Sequence, residues 1–192
     1  MRVRERLTSA TAALMQRHGV AGTGIAQILA TSGVTRRSIY LNFPGGKSEL
    51  VAAATRSAGD EMATMLRGCV QEPDPVAAFC RMWSEVLVST DFESGCPIVA
   101  AACSRDEAPE AASTAADVFS MWEQMLADKL NDDGVKRSTA RSLSTTIVAA
   151  IEGAVILSRA ARSTQPLEEV SRHISELIAR HRPAPRRDRR RL

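Results

Sequence analysis

The chain has 192 residues, of which 44% are hydrophobic and only 4% aromatic, and a formal net charge of +3. That length admits a small domain fused to a larger one, with enough chain to bury a core. No run of about 18 apolar residues reads as a membrane span, and the opening Met1-Arg-Val-Arg-Glu-Arg6 lacks the apolar stretch of a secretion signal, so a cytoplasmic protein is expected, with no membrane partner.

Scarce aromatics and abundant Ala, Leu and Met favour helices over strands. Val3, Leu7, Ala10, Leu14 and Met15 recur at helical spacing and predict a first helix over Val3–His18, stopped by Gly19. A short turn leads to a second helix over Ile25–Ser32, broken by Gly33, and Thr35 caps a third over Arg36–Asn42. Phe43-Pro-Gly-Gly46 ends that element, and Lys47 opens a long helix reaching about Val70. Two short helices joined by a glycine-containing turn form a helix-turn-helix.

Beyond this point the chain repeats one theme, the amphipathic helix. The predicted segments are Asp74–Ser89, Ile98–Cys103, Glu110–Leu130, Lys136–Ala161 and Leu167–His181, with Asn131-Asp-Asp-Gly134 as a loop. From Pro183 the chain is rich in Pro and Arg (Arg186, Arg187, Arg189, Arg190, Arg191) and reads as a disordered basic tail over 183–192.

Charge is unevenly placed. Residues 1–50 hold Arg2, Arg4, Arg6, Arg17, Arg36, Arg37 and Lys47 against Glu5 and Glu49, the tail is also basic, and the stretch between them is net acidic. A basic head on an acidic body points the head at a polyanion. The four cysteines (Cys69, Cys80, Cys96, Cys103) form no C-x-x-C pair and have no histidine at metal spacing, so neither a metal site nor a cofactor is expected. Buried small hydrophobes are the expected role, with oxidation sensing through Cys96 and Cys103 as the alternative. His18, His173 and His181 lack catalytic partners, and no nucleophile set or phosphate loop stands out, which argues against an enzyme.

The stretch Ile25–Leu50 resembles the signature of the TetR family of transcription regulators. Ile28, Gly33, Val34, Thr35, Ile39, Tyr40, Phe43 and Lys47 stand at the matching places. Two features resemble the LmrA/YxaF branch in particular: Pro-Gly-Gly-Lys47, one residue longer than the commoner spacing, and Phe92-Glu-Ser-Gly-Cys-Pro-Ile98. The resemblance implies an all-α fold: an N-terminal three-helix DNA-binding domain over 1–47, then a larger helical ligand-binding and dimerisation domain over 48–182. It implies a homodimer on double-stranded operator DNA, acting as a repressor and released by a small apolar effector. A helical adaptor without a DNA role would leave Arg36, Arg37 and Lys47 unexplained.

On that reading Thr35, Arg36, Arg37 and Ser38 sit at the N-terminal end of the recognition helix, the end that docks in the major groove. Tyr40, Asn42 and Lys47 would contact DNA beside them, Tyr40 and Lys47 through phosphates. Gly24 replaces the family's usual capping Thr or Ser, so Thr23 is expected to cap and to join the DNA contacts; Leu29 replaces a small residue where helices cross. The large side chains of the body, Met62, Met65, Phe79, Met82, Trp83, Phe119, Trp122 and Met125, are candidate effector contacts, because Met and aromatics adapt to irregular apolar ligands. Glu152 is a carboxylate in an apolar helix that is either buried, orienting a polar group of the ligand, or turned to solvent. Ile147, Ile151, Ala154, Val155, Ile174, Leu177 and Ile178 are the expected dimer contacts, on two helices that the family packs as a four-helix bundle.

Overall fold

The computed structural model describes residues 1–183; the expected tail over 183–192 lies, apart from Pro183, outside them. Among the described residues there are nine helices and no strand: α1 (Val3–His18), α2 (Ile25–Ser32), α3 (Arg36–Asn42), α4 (Gly46–Cys69), α5 (Pro75–Ser89), α6 (Pro97–Ala102), α7 (Pro109–Asp132), α8 (Arg137–Ala161) and α9 (Gln165–His181). Proline at the first or second position starts α5, α6, α7 and α9, where its missing N–H costs nothing. The segment expected as a loop at Asn131-Asp132 is the last turn of α7, since Gly134 (φ 89°), not Asn131, breaks the helix.

The head has its own small core. Leu7 of α1, Ile28 of α2, Ile39 and Phe43 around α3, and Leu50 of α4 form one buried cluster, each 0% exposed. Gly33 makes the turn between α2 and α3 possible. Its φ of 63° lies in the left-handed region, where a side chain is disfavoured, and its N–H closes α2 onto the Leu29 carbonyl at 2.9 Å.

The body packs α4 to α9 around a larger core that also takes Met15 and Val20 from the head side. α4 spans both units: Leu50 belongs to the head cluster and Val51 to the body's. The division expected at residue 47 therefore falls in the first turn of a continuous helix.

α8 is long and apolar enough to cross a membrane by length and composition, with a mean hydropathy of 1.4 over its best 18 residues. Small and hydroxylated residues interrupt its apolar run in the sequence. Here it is a core helix with two apolar sides. Ile147, Ile151, Ala154, Val155 and Ser158 face inward and are buried, while Ala149, Gly153, Ile156, Leu157 and Ala160 lie on the outward side. Both sets follow the same i, i+4, i+7, i+8, i+11 spacing, offset by two residues.

This placement corrects the expected dimer contacts. Ile147, Ile151, Ala154, Val155, Ile174 and Ile178 are buried within a single chain, so they cannot be its outer face; Leu177 is half-buried against the same core. The outward side of α9 carries Glu169, Arg172, His173 and Glu176.

Candidate DNA interface and effector region

The recognition helix α3 is seven residues long and held from three directions. Thr35 caps it, its hydroxyl oxygen accepting from the Ser38 N–H at 3.4 Å and lying 3.0 Å from the Ser38 hydroxyl. Ile39 and Phe43 anchor its inner side. Arg36, Arg37 and Tyr40 project outward, Tyr40 with 51% of its surface exposed, and neither arginine has an acidic partner among the described residues. The Asn42 amide donates to the Ser38 carbonyl at 2.8 Å, so it braces the helix. Lys47 is turned toward the turn after α1, its Nζ donating to the Val20 carbonyl at 3.2 Å. Glu49 caps the start of α4 by accepting from the Gly45 N–H at 2.8 Å.

Thr23 does neither of the things expected of it. It is 0% exposed and its hydroxyl donates to the Gly19 carbonyl at 2.6 Å, within the turn before α2. The residue in the cap position is Gly24, and Gln27 replaces the missing capping side chain by accepting from the Gly24 N–H at 3.0 Å. A glycine has no side chain to cap with, so the helix start is closed from inside the helix instead.

Two basic residues of the head have structural partners that charge counting did not reveal. Arg6 donates to the carbonyls of Ser32 and Gly33, at 2.6 and 3.2 Å, at the C-terminal end of α2. Arg4 donates to the Asn42 carbonyl at 2.7 Å and lies over the Phe43 ring, 4.3 Å from its centroid. Both guanidiniums thus satisfy carbonyls at the negative ends of α2 and α3.

In the body, Phe79 and Trp122 line one small apolar cavity of about 20 Å³, together with Ile147 and Ile151. That volume suits a water molecule. Of the other expected effector contacts, Met62 and Trp83 are buried in the core without lining it, and Phe119 packs edge-on against Trp122 with centroids 5.5 Å apart. Met65 is 46% exposed, on the outer side of α4, and is corrected from the expected set; Met62, a turn earlier, points inward. Met82 and Met125 are half-buried against the core.

The group with unusual chemistry is Glu152. It is 8% exposed, it lines the cavity, and its Oε2 has no hydrogen-bond partner among the described residues. The indole N–H of Trp122, in the same cavity, has none either. A buried polar atom without a partner costs about 1–3 kcal/mol, more when charged. Burial pushes the Glu152 carboxyl up to about 7, against a smaller opposing effect of the Cys96 thiol, which hydrogen-bonds it. Burial likewise pushes the thiols of Cys69, Cys80 (to about 11) and Cys96 up, which disfavours the reactive thiolate.

Cys96 sits in a turn that ties the body to the head. The Gly95 N–H donates to the Gln16 carbonyl at 2.9 Å, and Arg17 pairs with Glu93 at 3.3 Å. From the other side, Arg159 donates to the carbonyls of Phe92 and Glu93, and Arg162 pairs with Asp91 at 2.6 Å. Asp91 and Phe92 hold left-handed backbone, φ 51° and 60°, which non-glycine residues adopt only when their surroundings hold them there.

Comparison with known proteins agrees with this architecture over nearly the whole chain. Residues 7–54 match the bacterial regulatory proteins of the tetR family, and residues 74–173 match the C-terminal domain of LmrA/YxaF-like transcriptional regulators. The chain belongs to the TetR family of transcriptional regulators, with an LmrA/YxaF-like C-terminal domain. An uncharacterized HTH-type transcriptional regulator of Mycobacterium tuberculosis is 31% identical over 94% of this chain and 96% of its own length. The transcriptional regulator LmrA of Bacillus subtilis is 30% identical over 92% of this chain and 97% of its own. Among solved structures, a TetR transcriptional regulator from Chloroflexus aurantiacus superposes with a TM-score of 0.77 at 26% identity, covering 95% of this chain and 97% of that one. As a TetR regulator the chain is a DNA-binding protein.

Proposed function

We propose that this TetR regulator is a cytoplasmic, homodimeric repressor that leaves a pseudo-palindromic operator when a small molecule binds its helical body. The observation that carries the reading is the outward, unneutralised Arg36–Arg37 pair at the start of a capped recognition helix, fixed on a head with its own core. Thr35, Arg36, Arg37 and Ser38 would meet base edges in the major groove, where arginine pairs with guanine. Tyr40 and Lys47 would set register on phosphates, Lys47 by releasing the Val20 carbonyl. Head (through the first turn of α4) and body would act as the two domains.

Two heads must reach half-sites about 34–36 Å apart, one turn of DNA. The outward side of α8, with Ala149, Gly153, Ile156, Leu157 and Ala160, is the apolar surface we assign to the dimer; Ile156 and Leu157 are 53% and 61% exposed on the single chain. Its small residues let a second copy of the helix approach closely, and its spacing presents one continuous face. A ligand that favours a different separation of the heads weakens operator binding, and by linkage DNA weakens the ligand equally.

The test is a mobility-shift titration against DNA from just upstream of the chain's own gene, at two salt concentrations, with the native protein and Arg36→Ala/Arg37→Ala. Selective binding by the native protein, lost in the variant, is expected. Equal binding by both would place the DNA contacts elsewhere.

A further inference from the structure

Glu152 stands between two spaces. On one side is the cavity walled by Phe79 and Trp122; on the other is a cleft of about 220 Å³ between the end of α1, the Gly95–Ala100 segment and α8. The cleft walls are largely apolar, with Met15, Val99, Val155 and Ile156, and the buried residue Glu152 is part of them. We propose that this cleft is the effector site and that it takes a lipophilic ammonium, whose charged head is received by Glu152. The assignment rests on the effector-responsive reading above and gives it a location and a chemistry.

Three observations carry it. The first is the unpartnered Oε2 of a carboxylate that is nine-tenths buried. Charge in apolar surroundings is tolerated when a counter-charge and hydrogen bonds meet it together. An ammonium supplies both, a neutral donor only the bond, and a carboxylate ligand neither.

The second is that, among the described residues, the surroundings hold no cation free to do this. The Cys96 thiol is the titratable group facing Glu152 from the Gly95–Ala100 segment. Arg159 lines the same cleft, yet its guanidinium is engaged by the Phe92 and Glu93 carbonyls. From α1 come Met15 and Gln16, and from α4, α5 and α7 apolar walls such as Leu66, Val76 and Leu126.

The third is position. The cleft lies directly against the Gly95-to-Gln16 hydrogen bond, and the turn that makes it is bolted to α8 by Arg159 and Arg162. An occupant wedged between α1 and α8 therefore bears on the end of α1, whose other end holds α2 and α3 through Arg6 and Arg4. Because the Cys96 thiol shares the carboxylate, an ammonium that draws Glu152 to itself also loosens the turn.

The experiment uses the full chain and two isosteric probes, 3-phenylpropylamine and butylbenzene, which differ only in carrying NH3+ or CH3 at the end. Binding is measured by calorimetry at pH 6 and pH 8, and operator binding is followed in parallel. An amine of this kind stays charged at both pH values. The amine is expected to bind at least about tenfold tighter than butylbenzene at pH 8, where Glu152 is ionised. Its affinity is expected to fall about tenfold at pH 6, where the carboxyl is protonated, while that of butylbenzene stays level. Glu152→Gln and Glu152→Met, the second filling the same space without a polar group, are expected to lose both the amine preference and its pH dependence; circular dichroism confirms their fold. Equal binding of the two probes by the native protein, or an amine preference that survives in both variants, would overturn the assignment. If butylbenzene alone released the operator, the effector-responsive reading would stand and Glu152 would lose its role. If neither probe bound, the assignment would fall, and an operator indifferent to every ligand would take the broader reading with it.

Discussion

Head and body are built from the same kind of helix but specify their contacts differently. In the head, five residues from four helices close one small core, and the large side chains left outside it, Tyr40 and Leu41, stand side by side on the short α3. In the body, α8 presents two apolar sides of the same spacing, one taken by the chain's own core and the other left outward. A helix with one apolar side has one way to pack. A helix with two leaves the choice to its neighbours, and the outward one is the surface proposed above for a second copy of the chain.

Phe43→Ala removes the largest side chain of the small cluster together with the ring beneath Arg4, and should cost about 3–5 kcal/mol. Although the head shares α1 and α4 with the body, its cluster is separate, so urea unfolding should show the head melting early and operator binding vanishing while most of the body's helicity remains. A single, unshifted transition would mean that the head has no core of its own.

The body should respond instead to pH. The Glu152 carboxyl, held at about 7 in the folded chain against an ordinary 4.5, keeps a proton that the unfolded chain has already lost. Stability therefore falls as pH rises from about 4.5 to about 7, by about 3 kcal/mol in all, and stays at the lower level above that window. Urea midpoints at pH 5 and pH 8 measure this, and Glu152→Gln should flatten the difference. A native protein equally stable at both pH values would mean that Glu152 is solvated.

Smaller effects sharpen the contrast. Gly59, where α4 crosses α7, leaves no room for a side chain: a Cβ there would lie 2.5 Å from a Val118 methyl. Gly59→Ala should destabilise by about 1–3 kcal/mol through overpacking, even though alanine is the better helix former. A gain in thermal midpoint would show that α7 can shift to accommodate it. Smallest of all, Arg6→Ala, which frees the carbonyls of Ser32 and Gly33, should cost about 1 kcal/mol and weaken operator binding at every salt concentration alike. A loss confined to low salt would mark Arg6 as a phosphate contact.

What the sequence made legible follows the same division. The bounds of α1, α2 and α3 were readable because Gly19, Gly33 and Phe43-Pro44 punctuate a single apolar period, and the family signature placed Thr35, Arg36 and Arg37 at an outward helix start. Thr23 was misread because a threonine beside Gly24 looks like a cap, whereas the Gln27 amide at the third helical position does that work. Arg4 and Arg6 counted as charge because their carbonyl partners lie 26 to 38 residues away. In α8, both apolar sides obey the period equally well, so no pattern could say whether Ile147 or Ile156 points inward. Glu152 was visible as an anomaly in an apolar helix, and only packing could decide that it is buried.

The account stands most directly on whether the outward side of α8 pairs the two heads. Sedimentation equilibrium and an operator titration on Ile156→Asp/Leu157→Asp, with helicity checked by circular dichroism, measure this. The account predicts a native dimer that covers both half-sites of the operator, and a folded variant that sediments as a monomer and binds the same DNA at least about a hundredfold more weakly. A variant that remains a dimer, or a monomer that keeps native affinity, would contradict it.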